Sequence, residues 1–372
     1  MVNCVQIKTR SNSAYIHGKN SHKLGKYLRK SSATALFSQN RIIGLDLARA
    51  LALMGMIVAH LFSAEGSANF IFHGFPSALF AILAGVSLGL MSDKAVKAGG
   101  QELTIMRHRL MVRGVLLFLL GVILEPLSGS ILVVLQVFGL CYIALCCAPR
   151  WQTRTLVVVA IWLLAITVTA QVVAAVYTQP FEVLSFPYPA AAWAFYMVIG
   201  IIAYRFMLDN SRVLYSIIAI AIPVVSLGVW LRHAFDWETL VSSSDKNVAF
   251  VAAALNATSH SGALIDVLST TVGALALLSM CLLLCQVPYV ARVAYPLQCL
   301  GSMPLTFYVL HLLSAGLAEK LSLNMTTIGW SSLLGFLILA TIMRRFCRQG
   351  LLERAIKEAI LTVTNTTLPA RF

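Results

Sequence analysis

The residues of this chain best placed for chemistry are an acid, a base and a histidine inside one apolar run. Asp46 and Arg49 stand one helical turn apart in LDLARALALMGMIVAH, and His60 closes the run. Charge within a bilayer is costly enough to mark a functional candidate by default. At 100° per residue, Arg49 and His60 fall within about 20° of one helix face, roughly 16 Å apart along the axis. One stripe of a single helix therefore carries polar groups from one membrane boundary to the other. For Asp46 and Arg49 the alternative is an ion pair that only pins the bundle.

The other histidines extend this set. Of eight in the chain, His17, His22 and His108 are expected on the inner side, and His60, His73, His233, His260 and His311 at or beyond the outer boundary. A histidine near neutrality takes a proton from an attacking hydroxyl or amine and later returns it, or accepts an acyl group itself. It needs a partner to fix its tautomer. Asp266, Glu125 and Tyr308 are candidates for that role, and the sequence does not choose among them. Tyr308 and His311 share a helix face one turn apart in CLGSMPLTFYVLHLL. His60 and His311 lie at similar depth in two inside-to-outside helices, so both are expected to line one cavity near the outer leaflet. Glu125, Gln136, His260 and Tyr308 are the candidates for substrate contacts. Histidine clusters also hold zinc, but no H-E-x-x-H or equivalent spacing occurs, and no metal site is expected.

The elements that position these residues are membrane helices. A mean hydropathy of +0.83 and 11% charged residues do not describe a water-soluble protein. The pattern predicts an all-α polytopic bundle of about ten transmembrane helices with no separate soluble domain. Expected spans are 43–63, 77–92, 113–124, 130–148, 155–177, 189–207, 213–232, 264–286, 297–317 and 328–343. A basic tail at 1–40 precedes the membrane domain at 41–345, and an amphipathic segment follows at 346–372. Residues 93–113 read as an inner surface helix, and 233–263 as a long outer binding loop or lid.

The net charge of +14 invites a nucleic-acid reading that its placement removes. Of 28 Lys and Arg, 24 fall in alternate loops and the two ends, and the opposite loops hold only Arg232, Lys246 and Lys320. By the positive-inside rule both termini are cytoplasmic. The excess is a topology signal aided by anionic membrane lipid, with no nucleic-acid partner. Eight cysteines, none in an outward loop of this topology, imply no disulfide framework. No P-loop, dinucleotide fingerprint or G-x-S-x-G elbow occurs.

The opening helix resembles that of transmembrane acyltransferases, in which an Asp, an Arg three later and a His eleven after that recur. The heparan-alpha-glucosaminide N-acetyltransferase family opens similarly, with Asn where this chain has His60. That family's catalytic histidine lies in the following outer loop, where His73 stands here. Its final Gly-Met…Tyr-x-x-His segment is similar to GSMPLTFYVLH, matching Gly301, Tyr308 and His311. FHGFPSALFAILAGVSLGL and SHSGALIDVLSTTVGALAL also look like segments of bacterial members.

The resemblance implies an acyl-CoA-dependent acetyltransferase in a bacterial inner membrane. Acetyl-CoA would be a co-substrate from the cytosol, with no bound cofactor, and the acceptor a sugar-containing glycan or glycolipid on the far side. Arg107, Arg109, Arg113 and Arg292 would hold the CoA phosphates, with the pantetheine arm along the Asp46 and Arg49 stripe. His60 or His73 would be general base or transient acyl carrier, and the other, or His311, would orient the acceptor or stabilise the oxyanion. A small-molecule or lipid transporter is the alternative, and a non-catalytic envelope scaffold a third reading. Oligomeric state is not readable from the sequence.

Overall fold

The computed structural model describes residues 42–62, 74–177, 189–347 and 349–367. His73 lies outside these residues, as does the basic segment 1–40. The described residues from Ile43 onward form one compact unit. Every regular element among the described residues is helical. In chain order they are α1 (Ile43–Leu61), α2 (Phe75–Ala98), α3 (Gly100–Leu124), α4 (Leu135–Ala144), α5 (Thr153–Tyr177), α6 (Ala190–Phe206) and α7 (Ser211–Ala234). There follow α8 (Trp237–Val241), α9 (Lys246–Leu255), α10 (Leu264–Leu284), α11 (Pro288–Val293), α12 (Tyr295–Gly301), α13 (Pro304–Lys320), α14 (Met325–Phe346) and α15 (Leu351–Thr367).

Seven of these, α1, α2, α3, α5, α7, α10 and α14, are long and apolar enough to cross a membrane, and α12 with α13 makes an eighth if that bent pair is one span. The described residues thus form an all-helical membrane protein, with seven or eight full-length spans among them where ten were expected. The shortfall lies in α4 and α6, with 10 and 17 residues. At 1.5 Å per residue, α4 rises only about 15 Å, half the hydrocarbon thickness. Residues 93–113 also differ from expectation. They are shared between the end of α2 and the start of α3, and the chain turns at Gly99 and Gly100 with φ of 67° and 51°.

Burial divides the spans into an inner and an outer set. More than half of the apolar window is buried in α1, α2 and α10, against 17% in α5 and in α7. The outer helices expose Ile161, Trp162, Ile222 and Trp230. Such side chains are at home against lipid tails, which are as apolar as they are.

Small residues set how closely the inner helices approach. A Cβ on Gly85 of α2 would strike the Met197 carbonyl of α6, and one on Gly200 would strike the Ile82 carbonyl of α2. The two backbones therefore touch, as small-residue helix pairs in membranes do. Gly301 plays the same part where α12 meets α1, seated on the backbone carbonyl of Asp46.

Beyond Gly301 the chain bends by 83° into α13, a break absent from the sequence expectation of one continuous span. Pro304 opens α13, where its missing N–H costs nothing. The next two N–H groups are satisfied from α15. Glu353 accepts from the backbone N–H of Leu305 at 2.7 Å and of Thr306 at 3.2 Å, and from the Thr306 hydroxyl at 2.5 Å. A carboxylate there also suits the positive end of the helix dipole.

The segment expected as a loop or lid at 233–263 contains α8 and α9, and α9 packs along α5. Two of its three acidic residues, Asp236 and Asp245, are helix caps. Asp236 accepts from the Thr239 N–H, and Asp245 from the Asn247 N–H. The Thr239 hydroxyl and N–H hold the Asp236 carboxyl below the usual carboxylate range.

Candidate functional site

α1 delivers His60 in its last turn, and α13 delivers Tyr308 and His311 one turn apart. His60 Nδ1 lies 3.1 Å from His311 Nε2. The ring planes are parallel to within 2° while their centres are 5.4 Å apart. Most of that separation is the N–N distance itself, so this is an in-plane hydrogen bond and not a face-to-face stack. The two rings differ in surroundings. His311 is 0% exposed and its other nitrogen, Nδ1, has no hydrogen-bond partner. His60 is exposed and lines a cavity of about 40 Å³ with Met56, Ser77, Trp193, His260 and Tyr308. That is room for two or three waters.

A second cavity of about 20 Å³ lies alongside, lined in part by Tyr196, Asp266 and Thr270. Gly74, Ser77, Trp193 and His260 line both. His260 thus stands in the wall between the paired histidines and the buried carboxylate. Its backbone is left-handed, with φ of 61°. Histidine visits this region more readily than most residues, but still at a cost, and functional sites are where such strain collects.

Arg232 holds that loop in place. Its Nε donates to the Ala257 carbonyl at 2.6 Å, Nη1 to the Ser259 hydroxyl at 2.8 Å, and Nη2 lies 3.8 Å from Asp266 Oδ1. Asp266 also accepts from the Gly262 N–H at 3.1 Å and the Thr270 hydroxyl at 3.3 Å. The carboxylate expected to orient a histidine therefore serves Arg232 and the loop after α9.

The remaining sequence candidates lie elsewhere. Arg49 bonds Asp46 at 2.9 Å within α1 and reaches the Ser87 hydroxyl of α2 at 2.7 Å. Ser87 in turn donates to the Leu83 carbonyl at 2.7 Å. Gln136 donates to Glu125 at 2.7 Å across the α3–α4 connection, so these two satisfy each other away from both cavities. Arg107, Arg109 and Arg113 lie along α3, each with a buried Nε that lacks a hydrogen-bond partner. Arg113 also sits 5.4 Å over the Tyr142 ring. Arg292 is exposed on α11, a separate element.

Sequence reasoning missed Arg232, Ser77, Trp193 and Tyr196. Arg232 had a signal, because it is one of three basic residues on the wrong side for the charge bias. The other three had none, being ordinary residues of apolar helices. Among the described residues no three His, Cys, Asp or Glu side chains converge as a metal ion would need. What the arrangement offers is proton movement and hydrogen-bond donation by linked imidazoles at the edge of a small, mainly apolar cavity with a few polar groups. No protein-family model matches this chain, and no curated protein matches it.

Proposed function

We propose that the protein is a membrane acyltransferase that moves an acetyl or short acyl group from acyl-CoA to a hydroxyl or amine of a sugar-containing acceptor. The observation that supports this most is the 3.1 Å hydrogen bond between the fully buried His311 and His60, which lines a mainly apolar cavity with Ser77, His260 and Tyr308. One histidine takes the acceptor's proton as its oxygen or nitrogen attacks the thioester carbonyl. A second group donates to the oxyanion, the C–S bond breaks, and the CoA thiolate leaves and is protonated. His73 and His260 are the further candidates for base. Arg107, Arg109 and Arg113 of α3 would supply the positive charge that meets the CoA phosphates. In this reading α4 and α6 complete ten crossings, both termini face the cytoplasm of a bacterial plasma membrane, and donor and acceptor meet from opposite sides.

The test is transfer of labelled acetyl from acetyl-CoA to sugar and glycolipid acceptors by the full chain in nanodiscs. Acetylated product is expected, with a loss of about 100-fold or more in His60→Ala. Failure to release CoA or form acetylated product across acyl-CoA donors and acceptors overturns the reading. The 83° break between α12 and α13 favours a transporter as the second reading, because discontinuous helices are a transporter device. Uptake into vesicles with no covalent change to the solute would establish that alternative.

A further inference from the structure

The histidine pair fixes more than proximity, because its two possible proton arrangements are not equivalent. In the first, His311 carries its proton on Nε2 and donates to His60 Nδ1. His311 Nδ1 is then a bare lone pair, and His60 carries its own proton on Nε2. In the second, His60 Nδ1–H donates to His311 Nε2. The proton of His311 then sits on Nδ1, which is buried and has no partner. Placing a second proton on His60 enforces this second arrangement, because His60 Nδ1 is then protonated and His311 Nε2 must accept. Protonating His311 buries the same orphaned N–H with a charge beside it.

Buried N–H groups without an acceptor are rarer in native proteins than acceptors short of a donor. We infer that His311 is a positioning residue that holds His60 as the Nε2–H tautomer, so that His60 meets the substrate as a hydrogen-bond donor and not as the base. This deepens the acyl-transfer reading and rests on it for the word substrate. The donor would polarise the thioester carbonyl and stabilise the oxyanion as the acceptor attacks. The acceptor's proton then goes to a different group. His260, which lines the same cavity as His60, is the described residue placed to take it.

The experiment is ring-nitrogen NMR on the wild-type full chain with ¹⁵N-labelled histidine in lipid nanodiscs, assigned with single His→Gln variants. The expected result is a protonated Nε2 and an unprotonated Nδ1 on both His60 and His311. A proton on His60 Nδ1 overturns the inference, whether or not acetyl transfer is found. Where transfer is found, activity gives a second readout. A glutamine amide can replace a donating Nε2–H but not a base, so His60→Gln should retain at least tenfold more activity than His60→Ala. His311→Gln, which can still donate to His60, should likewise exceed His311→Leu. Equal loss in the glutamine and apolar variants at both positions would return the base role to His60.

Discussion

Two buried arginine–carboxylate pairs sit at opposite ends of the bundle, and they are built differently. Arg49 and Asp46 belong to one helix and close at 2.9 Å, and the spare guanidinium nitrogen ties α1 to α2 through Ser87. Arg232 and Asp266 join α7 to α10 at 3.8 Å, and the better hydrogen bonds of Arg232 go to the loop at Ala257 and Ser259. The first pair spends its hydrogen bonds on helix packing. The second spends them on a loop that carries a strained histidine between two cavities. A buried charge is informative through what its other hydrogen bonds reach, since the pair as such contributes little net stability.

That contrast is open to attack in four ways. The largest effect is expected from Arg49→Met, which removes the 2.9 Å ion pair of the buried Asp46 carboxylate at a cost of about 3–5 kcal/mol. Denaturation of the detergent-solubilised protein would measure it, and adding Asp46→Leu should restore most of the loss. Next comes Arg232→Met, costing about 1–3 kcal/mol, because Asp266 keeps two neutral donors. Here amide exchange should rise across residues 256–262, with acyl transfer falling further than stability. If the two arginine variants changed stability and loop exchange alike, the contrast would collapse.

A smaller effect of opposite sign is expected from His260→Gly. Relief of the left-handed backbone should leave stability unchanged or raise it by up to about 1 kcal/mol, while transfer falls. A clear drop in melting temperature would show that the loop geometry is packing and not strain. The smallest effect is on α8. The Asp236 carboxyl is held below its ordinary range by Thr239, so its capping contribution is present above the ordinary aspartate range and is lost as pH falls through the lowered value. Exchange at the Thr239 amide should rise only in that acid window, and Asp236→Ala should abolish the pH dependence.

The all-helical membrane class was legible because bilayer physics writes itself into hydropathy. The matched depth of His60 and His311 followed from the same helix arithmetic that their 3.1 Å contact now fills in. Other features were hidden because they depend on shape between distant elements. The seat of Gly301 on the Asp46 carbonyl is one of them, since no periodicity encodes so close an approach. The acids at 236 and 245 looked like parts of a binding loop, although cap residues have the same composition. Asp266 looked like a histidine partner because sequence gives depth but not azimuth between helices, and it was Arg232 that faced it.

Glu353 has a bearing on how the molecule is made. It closes the N-terminus of the helix that carries His311, yet it lies 47 residues after Thr306 in the chain. α15 must therefore fold back onto the start of α13 before that helix is capped. The helix that carries His311 is completed only when α15 docks on it, which couples the seating of that histidine to a segment far along the chain. A chain cut short before residue 351 would carry every histidine and still lack the fastening that seats one of them.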